Sequence, residues 1–157
     1  MLRERAIIDA IKSNRRNVLF PRLENVHSIG IIDDSKSTIF TDDIKQFNSN
    51  VKVSYLYFRN EKRNDDQAQD VIFKSDLDFK GLPKKNSIVE FVNQKFDILI
   101  NFSSINNDAA TYIYALSKAS FKVGYITNRK INDLIIDLKE DKRYMLVKEL
   151  IRTLKNF

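Results

Sequence analysis

Three short apolar runs constrain this chain more than any other feature. Residues 28–32, 97–102 and 122–126 are nearly continuous in Ile, Leu, Val and aromatic side chains between polar flanks. Each is too short for a buried helix, and each is followed by polar residues, the pattern of a strand covered on both faces. A strand without a solvent face belongs inside a parallel sheet whose crossover helices cover both sides. Residues 51–58, rich in aromatic and β-branched side chains, read as a further strand, and 134–136 as one closing the sheet at an edge. The expectation is a three-layer α/β/α sandwich, Rossmann-like, with a mainly parallel sheet of about five strands and 28–32 and 97–102 at its centre.

Helical signals fall between these runs, as crossover connections require. Ser87-Ile88-Val89-Glu90 has the spacing of a capping box and predicts a helix from Ser87 through about Gln94. Thr41-Asp42-Asp43 can cap and charge the start of another, because acids are favoured at the positive end of the helix dipole. Residues 108–118 place Ala109, Ile113 and Leu116 toward the sheet. At the two ends, Leu2, Ala6, Ile7, Ala10 and Ile11 form one apolar stripe, and Val147, Leu150, Ile151 and Leu154 form another. Both stripes predict helices docked on the sheet. Residues 59–69 are polar without apolar period and read as an exposed loop, while 77–85, with Gly81 and Pro83, read as a turn-rich connection. Neither a repeat nor a linker divides the chain, so a single α/β domain over 1–157 is expected.

Composition removes several chemistries. The chain has no cysteine, which excludes thiol nucleophiles, disulfides, thiolate zinc sites and iron–sulfur ligation and suits a reducing compartment. Its one histidine, His27, allows no histidine pair for a metal and reads as a structural or surface side chain. The only glycines are Gly30, Gly81 and Gly124, so neither the dinucleotide fingerprint nor a phosphate-binding P-loop is present. No run approaches the ~18 consecutive apolar residues of a membrane span, and residues 1–12 read as an amphipathic helix instead of a secretory leader. Cytoplasmic localisation is expected, with no membrane partner, no cofactor, no metal and no catalytic residue.

A parallel sheet binds ligands beyond the carboxyl ends of its strands, so the loops there hold the candidates. Asp33, Ser35 and Lys36 follow the first strand, Ser103, Ser104 and Asn106 follow the 97–102 strand, and Thr127 and Asn128 follow the 122–126 strand. Each offers hydroxyl, amide or charged groups that also serve as helix caps or solvated turns. Asp33 and Asp34 point to opposite sides if the strand continues through them, which weakens a paired acid/base reading. Charge supplies a second candidate surface. The formal net charge is +6, and both ends are basic: residues 1–22 hold six bases and two acids, and 118–157 hold ten and five. Arg5, Lys12, Arg15 and Arg16 lie off the apolar stripe of the first helix and are expected to face solvent, free to meet RNA phosphates.

The segments Lys74-Ser75-Asp76-Leu77-Asp78-Phe79-Lys80-Gly81-Leu82-Pro83, Phe96-Asp97-Ile98-Leu99-Ile100-Asn101 and Ala115-Leu116-Ser117-Lys118-Ala119-Ser120-Phe121-Lys122-Val123-Gly124 resemble a family of small Bacteroidetes proteins of unknown function. The likeness runs from about His27 to Lys139 and implies no catalytic residues. The Phe96-Asp97-Ile98-Leu99-Ile100 strand leading through a helix to Lys122-Val123-Gly124-Tyr125 is also similar to the N-terminal half of heptosyltransferase-like glycosyltransferases. That resemblance implies a half-enzyme that binds a sugar or nucleotide without transferring it unaided. The function expected is a non-catalytic binding or assembly module with an unidentified protein partner. The alternatives are an RNA- or ribosome-associated protein using the basic terminal helices, and a glycosyltransferase-like remnant.

Overall fold

The computed structural model describes residues 1–35, 41–59, 71–126 and 130–157. In chain order the elements are α1 (Leu2–Ser13), β1 (Ser28–Asp33), α2 (Thr41–Ile44), β2 (Lys52–Arg59), β3 (Val71–Phe73), α3 (Lys85–Asn93), β4 (Ile98–Asn101), α4 (Asp108–Leu116), β5 (Lys122–Gly124), β6 (Leu134–Ile135) and α5 (Leu146–Lys155). The strands form one six-stranded sheet in the order β3-β2-β1-β4-β5-β6, parallel at every pairing. β1 and β4 are adjacent at its centre, as their apolar runs require, with Ile31 in register with both Tyr55 and Ile100.

Alternation along the central strands divides the core in two. Ile29, Ile31, Ile98, Ile100 and Val123 join Leu146, Val147, Leu150, Ile151 and Leu154 of α5 on one face. Ile32 and Leu99 join Ala10 of α1, Ile88 of α3 and Ala110, Ile113 and Tyr114 of α4 on the other. The result is the expected α/β/α sandwich, and its terminal helices cover opposite faces of the sheet.

Several expectations need correction. The sheet has a sixth strand, β3, whose three residues are too few to show a period in the sequence. Arg59, assigned to a polar loop, is the last residue of β2; residues 60–70 lie outside the described residues. The capping box at Ser87 is not used. Lys84 stays extended after Pro83, α3 starts at Lys85, and Ser87 is already helical with its N–H bonded to the Lys84 carbonyl. Proline disfavours the helical conformation in the residue before it, not the one after, so α3 can begin this close behind it. α2 is described over Thr41–Ile44; the residues before Thr41 lie outside the described residues. Leu2, placed on the buried stripe of α1, is 62% exposed, whereas Ile7 and Ala10 are buried. The turn expected at 77–85 is present, with Gly81 at φ 75° in the left-handed region and Asp78 Oδ1 accepting the Lys80 and Leu82 N–H groups. No described helix is long and apolar enough to cross a membrane.

Two buried positions carry measurable consequences. A Cβ on Gly30 would stand 2.7 Å from the ring of Phe96 and 2.8 Å from Leu99, so the bare backbone of β1 is what lets Phe96 seat at 0% exposure. Gly30→Ala should lower the unfolding free energy by about 1–3 kcal/mol, the usual cost of overpacking, read by urea denaturation. Lys122, 2% exposed, donates its Nζ to the carbonyls of Tyr114 (2.6 Å) and Ala115 (3.3 Å) at the end of α4, satisfying acceptors that a helix terminus leaves open. Burial, helped by the Arg16 charge, lowers its ammonium to about 7. The unfolded chain then binds a proton that the folded chain does not between that value and the ordinary lysine value of about 10.4, so stability rises with pH across this window, by at most about 1.4 kcal/mol per unit. Urea unfolding at pH 7 and pH 9 should show a larger gain for the parent than for Lys122→Met.

Candidate functional site

In a parallel sheet of this order the chain reverses direction between its two innermost strands, and the loops after them diverge to leave a crevice at their carboxyl ends. Here that point lies between β1 and β4. β1 delivers Asp33 and Asp34 to one side, and β4 delivers Asn101, Ser103 and Ser104 to the other, followed by the turn that opens α4.

Asp34 spans the crevice. Its Oδ2 accepts the Ser104 N–H (2.8 Å) and the Asn107 side-chain amide (2.9 Å), while Oδ1 lies 3.3 Å from Arg143 Nη2. Arg143 belongs to the 3-10 segment Glu140–Met145 and also approaches Glu140 Oε1 at 3.5 Å. Glu140 in turn accepts the Ile105 N–H. Asn107 caps α4 by accepting the Ala110 N–H at 2.9 Å. Below this tie, the Ser103 hydroxyl donates to Asn101 Oδ1 (2.6 Å) and the Tyr125 hydroxyl donates to the Ser103 carbonyl (2.6 Å). Burial raises the Tyr125 phenol above its usual value. Asp33 is fully buried. Its Oδ1 accepts the Ser35 N–H at 2.8 Å, and its Oδ2 has no hydrogen-bond partner among the described residues. Burial raises this carboxyl above the ordinary range, against the lowering effect of the Ser35 hydrogen bonds.

Beside the tie lies an open cleft of about 480 Å³. Phe58, Ile72 and Leu77 form an apolar wall, Ser104, Asn106 and Asn107 a polar one, and Arg3, Arg59, Lys74 and Arg143 also line it. The Arg59 guanidinium is held by the carbonyls of Phe58 (2.9 Å) and Ser35 (3.2 Å) and lies 5.0 Å from the centre of the Tyr57 ring.

Of the residues singled out in the sequence, Asp33, Ser35, Ser103, Ser104 and Asn106 converge on the carboxyl ends of β1 and β4. Ser103 is fully buried and turned inward to Asn101, whereas Asn106 lines the cleft. Lys36, Thr127 and Asn128 lie outside the described residues. Arg5, Lys12 and Arg15 are exposed. Arg16 is not free, contrary to expectation. α1 ends at Ser13, and the chain runs extended beside the start of β5, where Arg16 Nη2 meets Asp133 Oδ1 at 2.6 Å and Nη1 donates to the Ala119 and Ser120 carbonyls. The basic ends do not merge through their helices either, since α1 and α5 lie on opposite faces. Sequence reasoning did not place Arg59, Lys74 or Asn107 at a ligand site, and it counted Arg3 and Arg143 only among the bases of the two chain ends, as candidates for RNA phosphates. Only Asn107 carried a local signal, as a cap residue ahead of an apolar helix. Among the described residues, no group of three or more His, Asp or Glu is placed to hold a metal ion.

These features define a Rossmann-like α/β protein whose central crevice is bridged by its own side chains and flanked by a cation-lined cleft. The profile of a family of unknown function, DUF6913, matches residues 4–157, and the chain belongs to that family. No curated protein and no solved structure matches it.

The Asp34–Arg143 contact is largely shielded, with the side chains 13% and 20% exposed. Removing either partner should destabilise by about 1–3 kcal/mol by leaving the other group's bonding capacity unmet. The double variant Asp34→Ala/Arg143→Ala should cost less than the sum of the single ones, with a coupling of at least about 0.5 kcal/mol in urea unfolding.

Proposed function

We propose that this protein is a non-catalytic binding module whose ligand site is the cleft at the carboxyl ends of β1, β2 and β3 and the start of α4. The observation that carries this reading is the Asp34 tie. The carboxylate best placed to act on a ligand at the crevice already accepts two hydrogen bonds and faces Arg143, which suits a rigid wall better than a proton-transfer group. The cleft volume falls in the range of small-molecule sites, and its mixture of apolar and polar walls is their usual composition. Cytoplasmic localisation belongs to the same reading.

The RNA or ribosome alternative ranks second. Arg5, Lys12 and Arg15 remain available on one side, but Arg16 is tied to Asp133 and the two basic helices face away from each other. An unidentified protein partner fits a binding module without being singled out by one surface. The resemblance to heptosyltransferase-like glycosyltransferases makes nucleotide sugars a natural class to try.

The test is a thermal-shift panel of neutral sugars, sugar phosphates, nucleotides and nucleotide sugars, followed by analysis of the recovered compound. A ligand at a hundredfold its Kd should stabilise the native state by about 2.7 kcal/mol and return chemically unchanged. A ligand that returns converted would overturn the non-catalytic reading, and a panel without any shift would overturn the small-molecule site.

A further inference from the structure

Three cations on the cleft wall have no anionic partner among the described residues. Arg3, Arg59 and Lys74 come from α1, the end of β2 and the residue after β3, three elements that the topology brings to one opening. Among the described residues, none of the three makes a salt bridge, whereas Arg143 is matched by Asp34 and Glu140. Asp108, also on the wall, has interactions of its own.

Arg59 is also oriented. Both of its hydrogen bonds leave from Nη1, and the guanidinium plane lies near the Tyr57 ring. Nε and Nη2 are left as the donor edge with no acceptor among the described residues. A guanidinium held this way loses little entropy when it forms a bidentate pair with an oxyanion. Arg3 lies against the left-handed turn, its guanidinium carbon 3.4 Å from where a Cβ on Gly81 would stand. Lys74 is exposed and adds a mobile point charge.

We infer that the cleft binds a small phosphate ester. The phosphate is held by Arg59, Lys74 and Arg3, and the organic group lies against Phe58, Ile72 and Leu77. Cations from three elements suit a dianion better than a single carboxylate, and the adjoining apolar wall favours an ester over free phosphate. This inference rests on the cleft being the ligand site and adds the class of ligand it takes.

Phenyl phosphate, phenol and benzoate, each titrated into the isotope-labelled protein and followed through its amide NMR signals, separate the possibilities. Phenyl phosphate should shift the signals of Arg59, Lys74, Asn106 and Ala109, bind at least tenfold more tightly than benzoate or phenol, and weaken as salt is raised. The Arg59→Gln/Lys74→Gln variant should lose at least tenfold in affinity. Arg59 also supports two backbone carbonyls, so the Arg3→Gln/Lys74→Gln variant provides the same measurement if the first does not fold. Shifts confined to another surface, or equal affinity in parent and variants, would overturn the inference. Phenol binding in the cleft without phenyl phosphate would overturn the anion assignment and leave the binding reading standing. If none of the three compounds shifts a cleft signal, the inference fails, and the ligand panel decides separately whether the binding reading fails with it.

Discussion

Burial of β1 and β4 on both faces is the constraint on which the rest of this structure depends. All of β4, and β1 from Ile29 onward, is buried, so neither strand can lie at an edge or present a face to water. Each must have a paired strand on either side and apolar elements above and below. That requirement sets α5 against Ile29, Ile31, Ile98 and Ile100, and α1, α3 and α4 against Ile32 and Leu99. Gly30 belongs to the same constraint, because the ring of Phe96 occupies the place where a side chain would stand.

Placing β1 and β4 side by side also creates the chemistry. Their carboxyl ends open a crevice at the point where the sheet reverses, and the polar residues that end both strands must find partners there without bulk water. Asp34 meets this need by joining the loop after β4, the cap of α4 and Arg143. The buried pair of Asn101 and Ser103 lies beneath it. A crevice that is open in nucleotide-binding members of this fold class is here bridged from within, and the free volume moves toward β2 and β3. The cations that gather there are distant in sequence and share no local motif.

The fold was largely legible from the chain. Alternation of short apolar runs with amphipathic segments was enough for the parallel α/β sandwich, its central pair of strands and the docked C-terminal helix, because each follows from which residues must leave water. Errors came where local signals competed. Ser87 and Glu90 have capping-box spacing, yet α3 starts at Lys85, and its cap position falls on Lys84 after Pro83, three residues before Ser87. Arg16 has the sequence of a solvent-facing base, yet it satisfies carbonyls and a carboxylate more than a hundred residues away. The three-residue β3 is held by its pairing to β2 and has too little sequence to declare itself.

By itself, the sequence determined which segments lose their solvent face, and hence the sheet, its layers and the exclusion of cysteine, glycine-loop and paired-histidine chemistry. The tertiary structure alone decided the site. Hydrophobic periodicity is a property of neighbouring residues and can be read along the chain. The meeting of Asp34 with Ser104, seventy residues away, and the convergence of Arg3, Arg59 and Lys74 on one cleft are set by strand order and crossover geometry. Those emerge only when every element has buried its apolar face at once.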